Sequence, residues 1–582
     1  MPLPSMYRLS VEQRVLRQLI ESLLFEGYVD VHFVPEPAMN TLEARAVRGV
    51  FRWQMGEHNY RVEGYRGGFD RVRVDIQTLR IMGHPSDVAL YQVLADVPTA
   101  DAVRQQLREE LHQTIRLCRW NQAHLPATHS RYEVSYSQLE SWVDEGHPYH
   151  PSFKARTGFS EQDHARFGPE AGEPFQLEWL AVKFSHLNMA LPVCADVFWR
   201  QELGEPTWAE LTQALALQGE GWDGYALMPL HPWQFTQLYG ETWTARSSRD
   251  VLHLGSAGDH YVATQSLRTL RNHTHPERAH IKLPLSLVNS SSVRTLDPCS
   301  VCHAPAISQW LKLVIDSDPT LQSVVILQEY AAGLVCQADP NADPAGEGRI
   351  GMIMRESVEG QLLPGEQAVP FNALSLLEQD GRAFIAPWLS RYGVEVWLER
   401  LLEVAVVPVW HVLVAHGLAL EAHGQNMVLV HEEGWPQRLM LRDFHESLEF
   451  YTPFLADAAL KPDGIDGLTA APSDANPGYY GIDSVEGLRE LVMDTLFVYN
   501  LTELALLLET EAGLPETHFW QCVADTLTHY ALEHPTLTDR LAMLGYAQPT
   551  IQTESLITRK LRQSPSECHH TIRNPLAHPQ TA

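Results

Sequence analysis

Cysteine is scarce in this chain: seven in 582 residues, at positions 118, 194, 299, 302, 336, 522 and 568. That sparse spacing excludes a disulfide scaffold. Positive charge is short as well, with 43 Lys and Arg against 72 Asp and Glu, a formal charge of −29. Such a field repels phosphate backbones and anionic lipid, so neither nucleic acid nor a membrane is an expected partner. If the substrates are anions, their site must be a local island of positive charge. Long hydrophobic runs are missing too. The most apolar window, 404–415, carries Pro408 and His411 and is shorter than the about twenty residues a spanning helix needs. The opening residues, MPLPSMYRLSVEQR, show no apolar stretch followed by a small-residue cleavage site, so a cytoplasmic, soluble protein is expected. Walker A and GxSxG patterns are absent from the chemistry-bearing windows below.

What is present is globular. A composition 45% hydrophobic and 20% charged rules out collagen-like or wholly disordered chains. The length suits roughly three or four domain-sized units and can bury a large core without staples. Ser10-Val11-Glu12-Gln13 reads as a capping box opening a helix, with Val11, Val15, Leu16, Leu19, Ile20, Leu23 and Leu24 on one stripe. Residues 47–55, 60–65 and 72–76 read as strands, and 86–123 as helical. A long helix is expected over 394–416, kinked or broken at Pro408. Two strands, 426–430 and 438–442, flank a turn at 432–436, and 484–560 is mostly helical. Residues 338–348 and 461–481 are loops by composition. The expected fold class is mixed α+β.

Three stretches can carry chemistry. The first, GHPYHPSFKARTGFS at 146–160, sets His147 and His150 three apart with Lys154 and Arg156 behind them. Its prolines forbid a regular helix, so it is a shaped loop presenting imidazoles and cations; zinc ligation by HxxH and an ordinary surface loop are the alternatives. The second, 266–294, holds Arg268, Arg271, Arg278, Lys282 and Arg294 against the single acid Glu277. It is the basic island that an acidic protein with anionic substrates requires. Ser266-Leu267-Arg268-Thr269 and Ser292-Val293-Arg294-Thr295 repeat one pattern, and hydroxyls beside an arginine fork suit phosphate and carboxylate oxygens. The bland reading is a solvated basic face. The third pairs Glu421-Ala422-His423-Gly424-Gln425-Asn426 with Arg442-Asp443-Phe444 across the short hairpin. Asn426 and Asp443 then meet as a Mg²⁺ site against a polyphosphate, expected to face solvent. That layout resembles part of a kinase-like phosphotransferase, without GxGxxG or HRD. Cys299-Ser300-Val301-Cys302-His303 matches a haem-attachment pattern but is read as two ordinary cysteines.

Taken in order, GHPYHPSFKARTGFS, HPWQ at 231–234, SLRT, IKLPLSL, SSVRT, EAHGQN and RDF resemble the IucA/IucC family of NRPS-independent siderophore synthetases. Lys560 and Asn574-Pro575-Leu576 extend the resemblance over nearly the whole chain. It implies three interlocked regions, likened to thumb (1–185), fingers (186–390) and palm (391–582), around an ATP cleft, in a homodimer. It implies an AMP-forming ligase that adenylates a carboxylate of citrate or a related polycarboxylate. An amine or amino alcohol then attacks, with release of AMP and pyrophosphate. By residue, the resemblance puts Ser266, Arg268 and Lys282 on the ATP phosphates, and Arg294 near the carboxylate substrate. His423 falls beside the α-phosphate and acyl group, with Glu421, Asn426 and Asp443 around the triphosphate and Mg²⁺. His147, His150 and Lys154 complete the acyl-substrate pocket. Two rivals remain at this point: a kinase-like phosphotransferase releasing ADP, and a non-catalytic binder of citrate or ferric siderophore.

Overall fold

The computed structural model describes residues 9–35, 47–84, 88–126, 130–241, 249–290, 292–336, 348–465, 480–564 and 566–577. Most of both expected loops, 338–347 and 466–479, lies outside the described residues. The helix Val11–Phe25 opens with the expected reciprocal cap between Ser10 and Gln13. Its buried stripe packs on an antiparallel four-stranded sheet, Val31–Pro35, Val47–Met55, His58–Arg66 and Val72–Ile81. The turn before Val72–Ile81 and the start of that strand also meet the C-terminal helices. Phe69 packs edge-on to Trp520, and Arg71 and Arg73 both reach Glu503 at 3.2 and 2.6 Å. The two ends of the chain therefore share one core.

A second core lies against an eight-stranded sheet. Its strands, in spatial order, are Leu187–Ala190, Glu329–Val335, Gly351–Arg355, His280–Lys282, Thr269–Asn272, Val251–Ala263, Phe175–Lys183 and Tyr225–Leu230. Phe175–Lys183 precedes residue 185, while Val324–Ile326 and Gln367–Pro370 join a four-stranded sheet with Trp435–Leu441 and Met427–Glu432. Strand pairing thus crosses both of the regional boundaries expected from sequence.

The 394–416 segment is helical throughout, but Pro408 does not break it. A π-helical turn, Leu402–Val406, precedes Val407–His411, and a second, Val412–His416, follows. A wide turn before the proline removes the ring's clash with the carbonyl four residues back. Gly417 then ends the helix in the left-handed region, φ 78°, where glycine carries no steric cost. Among the described residues one other helix is both long and apolar. Val485–Glu511 is long and apolar enough to cross a membrane by composition, and 72% of that window is buried inside the fold. It is a core helix.

The hairpin Met427–Glu432 and Trp435–Leu441 turns at Glu433 and Gly434, both with positive φ. A Cβ at Gly434, φ 90°, would run into the Trp388 ring. Gly434→Ala should therefore cost about 2–4 kcal/mol, strain and overpacking together, read as a lowered denaturation midpoint.

Candidate active site

The two Ser-x-Arg-Thr copies flank one end of the eight-stranded sheet. Ser266 and Arg268 occupy the turn after Val251–Ala263. The Ser266 Oγ accepts from the Thr269 N–H at 3.1 Å, and Leu267 has φ 70°. Lys282 pairs in register with Thr269, placing its ammonium next to the turn. Arg268 donates to the Thr295 carbonyl of the second copy, just past the strand Ser292–Arg294, and so ties the two copies together. Arg294 donates to Asn289 O at 2.9 Å. Burial lowers the Arg268 and Lys282 pKa values; burial and then the neighbouring Arg268 bring Arg294 down to about 10. Three cations thus stand close enough to repel one another.

The hairpin supplies the opposing wall. Arg442 N donates to Asn426 O at 3.1 Å, so Asn426 and Asp443 share one end of it, as the sequence predicts. Asp443 differs from expectation in its setting. It is not solvent-facing: its side chain is 14% exposed, with Oδ1 2.8 Å from Arg355 and 3.5 Å from Lys282. Although burial opposes ionisation, Arg355, Lys282, Arg442 and His445 together hold this carboxylate well below its ordinary range. Its φ is 62°, and that of Glu446 is 64°. Such strain persists only where surroundings impose it. Here Glu329 does so, accepting from the Phe444 and His445 N–H groups at 3.3 and 3.1 Å.

His423 is fixed by its own turn. Nδ1 accepts from the Gln425 and Asn426 N–H groups at 3.2 and 3.3 Å. The neutral ring therefore carries its proton on Nε2, 3.7 Å from Glu421 Oε1. Glu421 also accepts from Ser447 Oγ at 2.8 Å, and Asn426 Nδ2 donates to Glu421 O at 3.0 Å. The amide Oδ1 of Asn426 has no partner among the described residues. The side-chain oxygens of Asn426, Asp443 and Glu421 are of the hard kind that Mg²⁺ takes.

His147 adopts the same device, its Nδ1 accepting from Tyr149 and His150 N–H at 3.1 and 3.3 Å. Its ring reaches solvent yet is walled by protein. The walls and then His423 lower its pKa to about 3. His150 stacks edge-on at 4.7 Å and is lowered by burial, His147, Lys560 and Arg294. Lys154 does not join them. Its ammonium is 1% exposed, 2.8 Å from Glu170 and 3.1 Å from Asp144, and Glu170 also takes both Arg156 nitrogens. HPWQ is likewise a tie: Gln234 bonds Ser286 and Arg349, and His231 Nδ1 accepts from Trp233 N–H. Lys560 pins Glu110, Ser152 and Ser290 O together.

Beyond Glu421 lies an acidic wall. Burial first, then Glu567, Glu421, Glu490 and Glu554, push Glu449 up to about 8; burial and Glu567 bring Glu554 to about 7. Sequence reasoning missed this wall, as it missed Arg355, Glu329 and Glu446.

The family profile described as IucA / IucC family matches residues 135–376. A second, described as Ferric iron reductase FhuF-like transporter, matches 395–566. A citryl-spermidine/3,4-dihydroxybenzoyl-citryl-spermidine:spermidine ligase of Bacillus anthracis is 35% identical, covering 98% of this chain and 94% of that relative. The chain belongs to the IucA/IucC family. Its fold follows suit. The crystal structure of petrobactin biosynthesis protein AsbB from Bacillus anthracis superposes with TM-score 0.88 at 33% identity, covering 98% of this chain and 96% of that one. Aerobactin synthetase IucC from Klebsiella pneumoniae gives 0.81 at 26% identity, covering 97% of each. Both superpositions cover nearly the whole of this chain.

Lys154 offers a direct check on which cations of this IucA/IucC chain face the cleft. Lys154→Met leaves Glu170 half-neutralised and should cost about 3 kcal/mol of stability while the Michaelis constants stay put. A raised constant for the acid substrate with an unchanged melting curve would move Lys154 into the cleft.

Proposed function

We propose that this chain is an ATP-dependent ligase that adenylates a carboxylate of citrate or a related polycarboxylate and passes the acyl group to an amine or alcohol. The observation that carries the reading is the under-compensated cluster Arg268, Lys282 and Arg294, facing Asn426, Asp443 and His423 in a chain of net charge −29. Family membership supports the same reaction. The three interlocked regions around an ATP cleft belong to this reading too.

In the first step a substrate carboxylate oxygen attacks the α-phosphorus of ATP, and the bond to pyrophosphate breaks. Charge grows on phosphate oxygens, where fixed cations and N–H donors lower the barrier. Arg268 and Lys282 hold the phosphates, with the Ser266 hydroxyl beside them, and Arg294 holds the acid. The Nε2–H of His423 donates to an oxygen at the reacting centre. Asn426, Asp443 and Glu421 would hold Mg²⁺, which supplies charge neutralisation for the triphosphate when bound. His147 and His150, held neutral, line the acyl pocket without adding charge.

In the second step the nucleophile's nitrogen or oxygen attacks the acyl carbon and AMP leaves. The acidic wall favours an amine, because a cation relieves the mutual repulsion of Glu449, Glu554, Glu490 and Glu567. Burial and then its acidic neighbours raise the Glu449 pKa to about 8, so its ionised form is a stronger base than an ordinary carboxylate for the proton an ammonium must lose before attacking.

A kinase-like enzyme releasing ADP is the alternative, and the matched relatives, ligases and synthetases, do not support it. Incubation of the protein with ATP, citrate and a panel of amines should yield AMP and pyrophosphate, followed by coupled detection. ADP with inorganic phosphate would refute the assignment.

The two arginines should separate kinetically. Arg268→Ala should raise the apparent Michaelis constant for ATP, and Arg294→Ala that for the acid. Each lost charge-assisted contact is worth roughly 1.5–3 kcal/mol, about 10- to 150-fold. Lysine at either position should restore only part, since a point charge lacks the guanidinium fork. Equal effects of both variants on both substrates would contradict the division.

A further inference from the structure

Away from the cleft, side chains from two distant segments converge on one point. Asp318 follows the helix Ala304–Ser317, and its Oδ1 accepts from the Thr320 N–H at 2.8 Å. Its Oδ2 lies 2.8 Å from Nε2 of His411 and 2.8 Å from Nε2 of His416. All three ligand atoms fall within 4.8 Å of one another.

Two further observations distinguish this from a chance ion pair. The first is the backbone that brings the imidazoles together. In a regular α-helix, residues five apart diverge by about 140°. The π turn Val412–His416, closed by hydrogen bonds five residues apart, returns His416 to the face of His411, with ring centroids 5.8 Å apart. π turns of this kind cluster at functional sites. The second is what stands behind the ligand atoms. His411 Nδ1 lies 2.9 Å from Tyr530 Oη, and the His534 ring packs 5.0 Å from His411. Metal-bound histidines almost always have such a partner on the other ring nitrogen, fixing tautomer and orientation. The His411 side chain is 4% exposed, but Asp318 and His416 are 16% and 19% exposed, so an ion can enter from solvent.

We propose that Asp318, His411 and His416 bind a divalent transition-metal ion of the zinc class through Oδ2 and the two Nε2 atoms, leaving a fourth position open. Two imidazoles and one carboxylate are a borderline set that suits Zn²⁺ and its first-row neighbours; Mg²⁺ and Ca²⁺ ask for oxygen alone. Binding moves each neutral ring's proton from Nε2 to Nδ1, where Tyr530 Oη accepts that of His411. The site is separate from the phosphate-binding residues, so the proposal stands or falls independently of the ligase reading. Its place in the chain suggests a brace. Gly417 and the strand Leu418–Leu420 run directly from His416 into Glu421 and His423. An ion here ties that segment to the end of the Ala304–Ser317 helix, which packs against Glu329–Val335.

The test uses the full chain, stripped by a chelator and held in millimolar Mg²⁺ to suppress loose binding to an acidic surface. Titration with Zn²⁺ against a chromophoric competitor should show one tight site per chain and a raised melting temperature. His416→Gln and Asp318→Asn should each weaken it by at least about tenfold, and Tyr530→Phe by about 10- to 100-fold. Because a variant could fold poorly, carbethoxylation of the wild-type histidines, read by mass spectrometry, supplies a second measurement: Zn²⁺ should protect His411 and His416. Absence of stoichiometric uptake, uptake unchanged in both ligand variants, or unprotected His416 would each overturn the proposal.

Discussion

Holding three cations against one another in a chain of net charge −29 is the constraint on which the rest of the structure depends. Arg268, Lys282 and Arg294 stand on three neighbouring backbone segments, and each loses proton affinity to burial. Backbone carbonyls at Thr295 and Asn289 take one donor from each arginine; Asp443 and Glu446 supply the counter-charge for Arg268 and Lys282. Asp443 is also shared with Arg355. The compensation is partial, which suits the proposed role: a fully neutralised cluster would gain little from a polyanion, whereas this one would gain the attraction and shed the repulsion together.

Such a cluster requires a rigid frame, and the frame explains features that otherwise look unrelated. Asp443 and Glu446 sit in left-handed backbone conformations that a free loop would abandon. Glu329, reaching from the large sheet, fixes the loop by its N–H groups and the His445 ring at 3.2 Å. Arg442 is held on the opposite side, between Gln425 O, Tyr136 and Glu140. The hairpin therefore presents Asp443 with neighbours from the eight-stranded sheet on one flank and the N-terminal region on the other. Strand pairing that crosses the regional boundaries is what permits residues from 136 to 446 to act on one point.

Much of this was legible in the sequence where the signal was local. The capping box at Ser10, the strands after residue 47 and the hairpin flanked by Asn426 and Asp443 depend on neighbours within a few residues. The cap forms as read. The second and third strands run longer than read, to Arg66 and Ile81, and the hairpin turn narrows to Glu433 and Gly434 between Met427–Glu432 and Trp435–Leu441. The basic window was visible as a local excess of arginine. What was hidden depends on partners far along the chain. Lys154 looks like one more cation of a cleft loop until Glu170 and Asp144 close over it. Arg355 has no basic neighbourhood at all, and only the pairing of Gly351–Arg355 with His280–Lys282 puts it beside Asp443. The acidic wall gathers Glu421, Glu449, Glu490, Glu554 and Glu567 from separate segments spread between positions 421 and 567. Pro408 misleads for a different reason: helix propensity does not foresee that a π turn can absorb a proline.

In the proposed reading, the cations Arg268, Lys282 and Arg294 and the crowded carboxylates around Glu449 serve different substrates, with His423 and His147 between them. That division matches the proposed chemistry, in which two anions must meet before a cation arrives. It also constrains who moves the last proton. His423 and His147 both spend Nδ1 on backbone N–H groups, so in each neutral ring Nε2 is a donor. A donor can stabilise an acyl or phosphoryl oxygen, but it cannot accept a proton from an incoming ammonium without first giving up its own. The crowded wall has the opposite property. Burial first, and then the neighbouring acids, make Glu449 a stronger base than an ordinary carboxylate once it is ionised, which in the proposed reaction suits it to take the amine's proton. Binding and deprotonation of the nucleophile then follow from one arrangement of acids, which leaves the histidines to the electrophile.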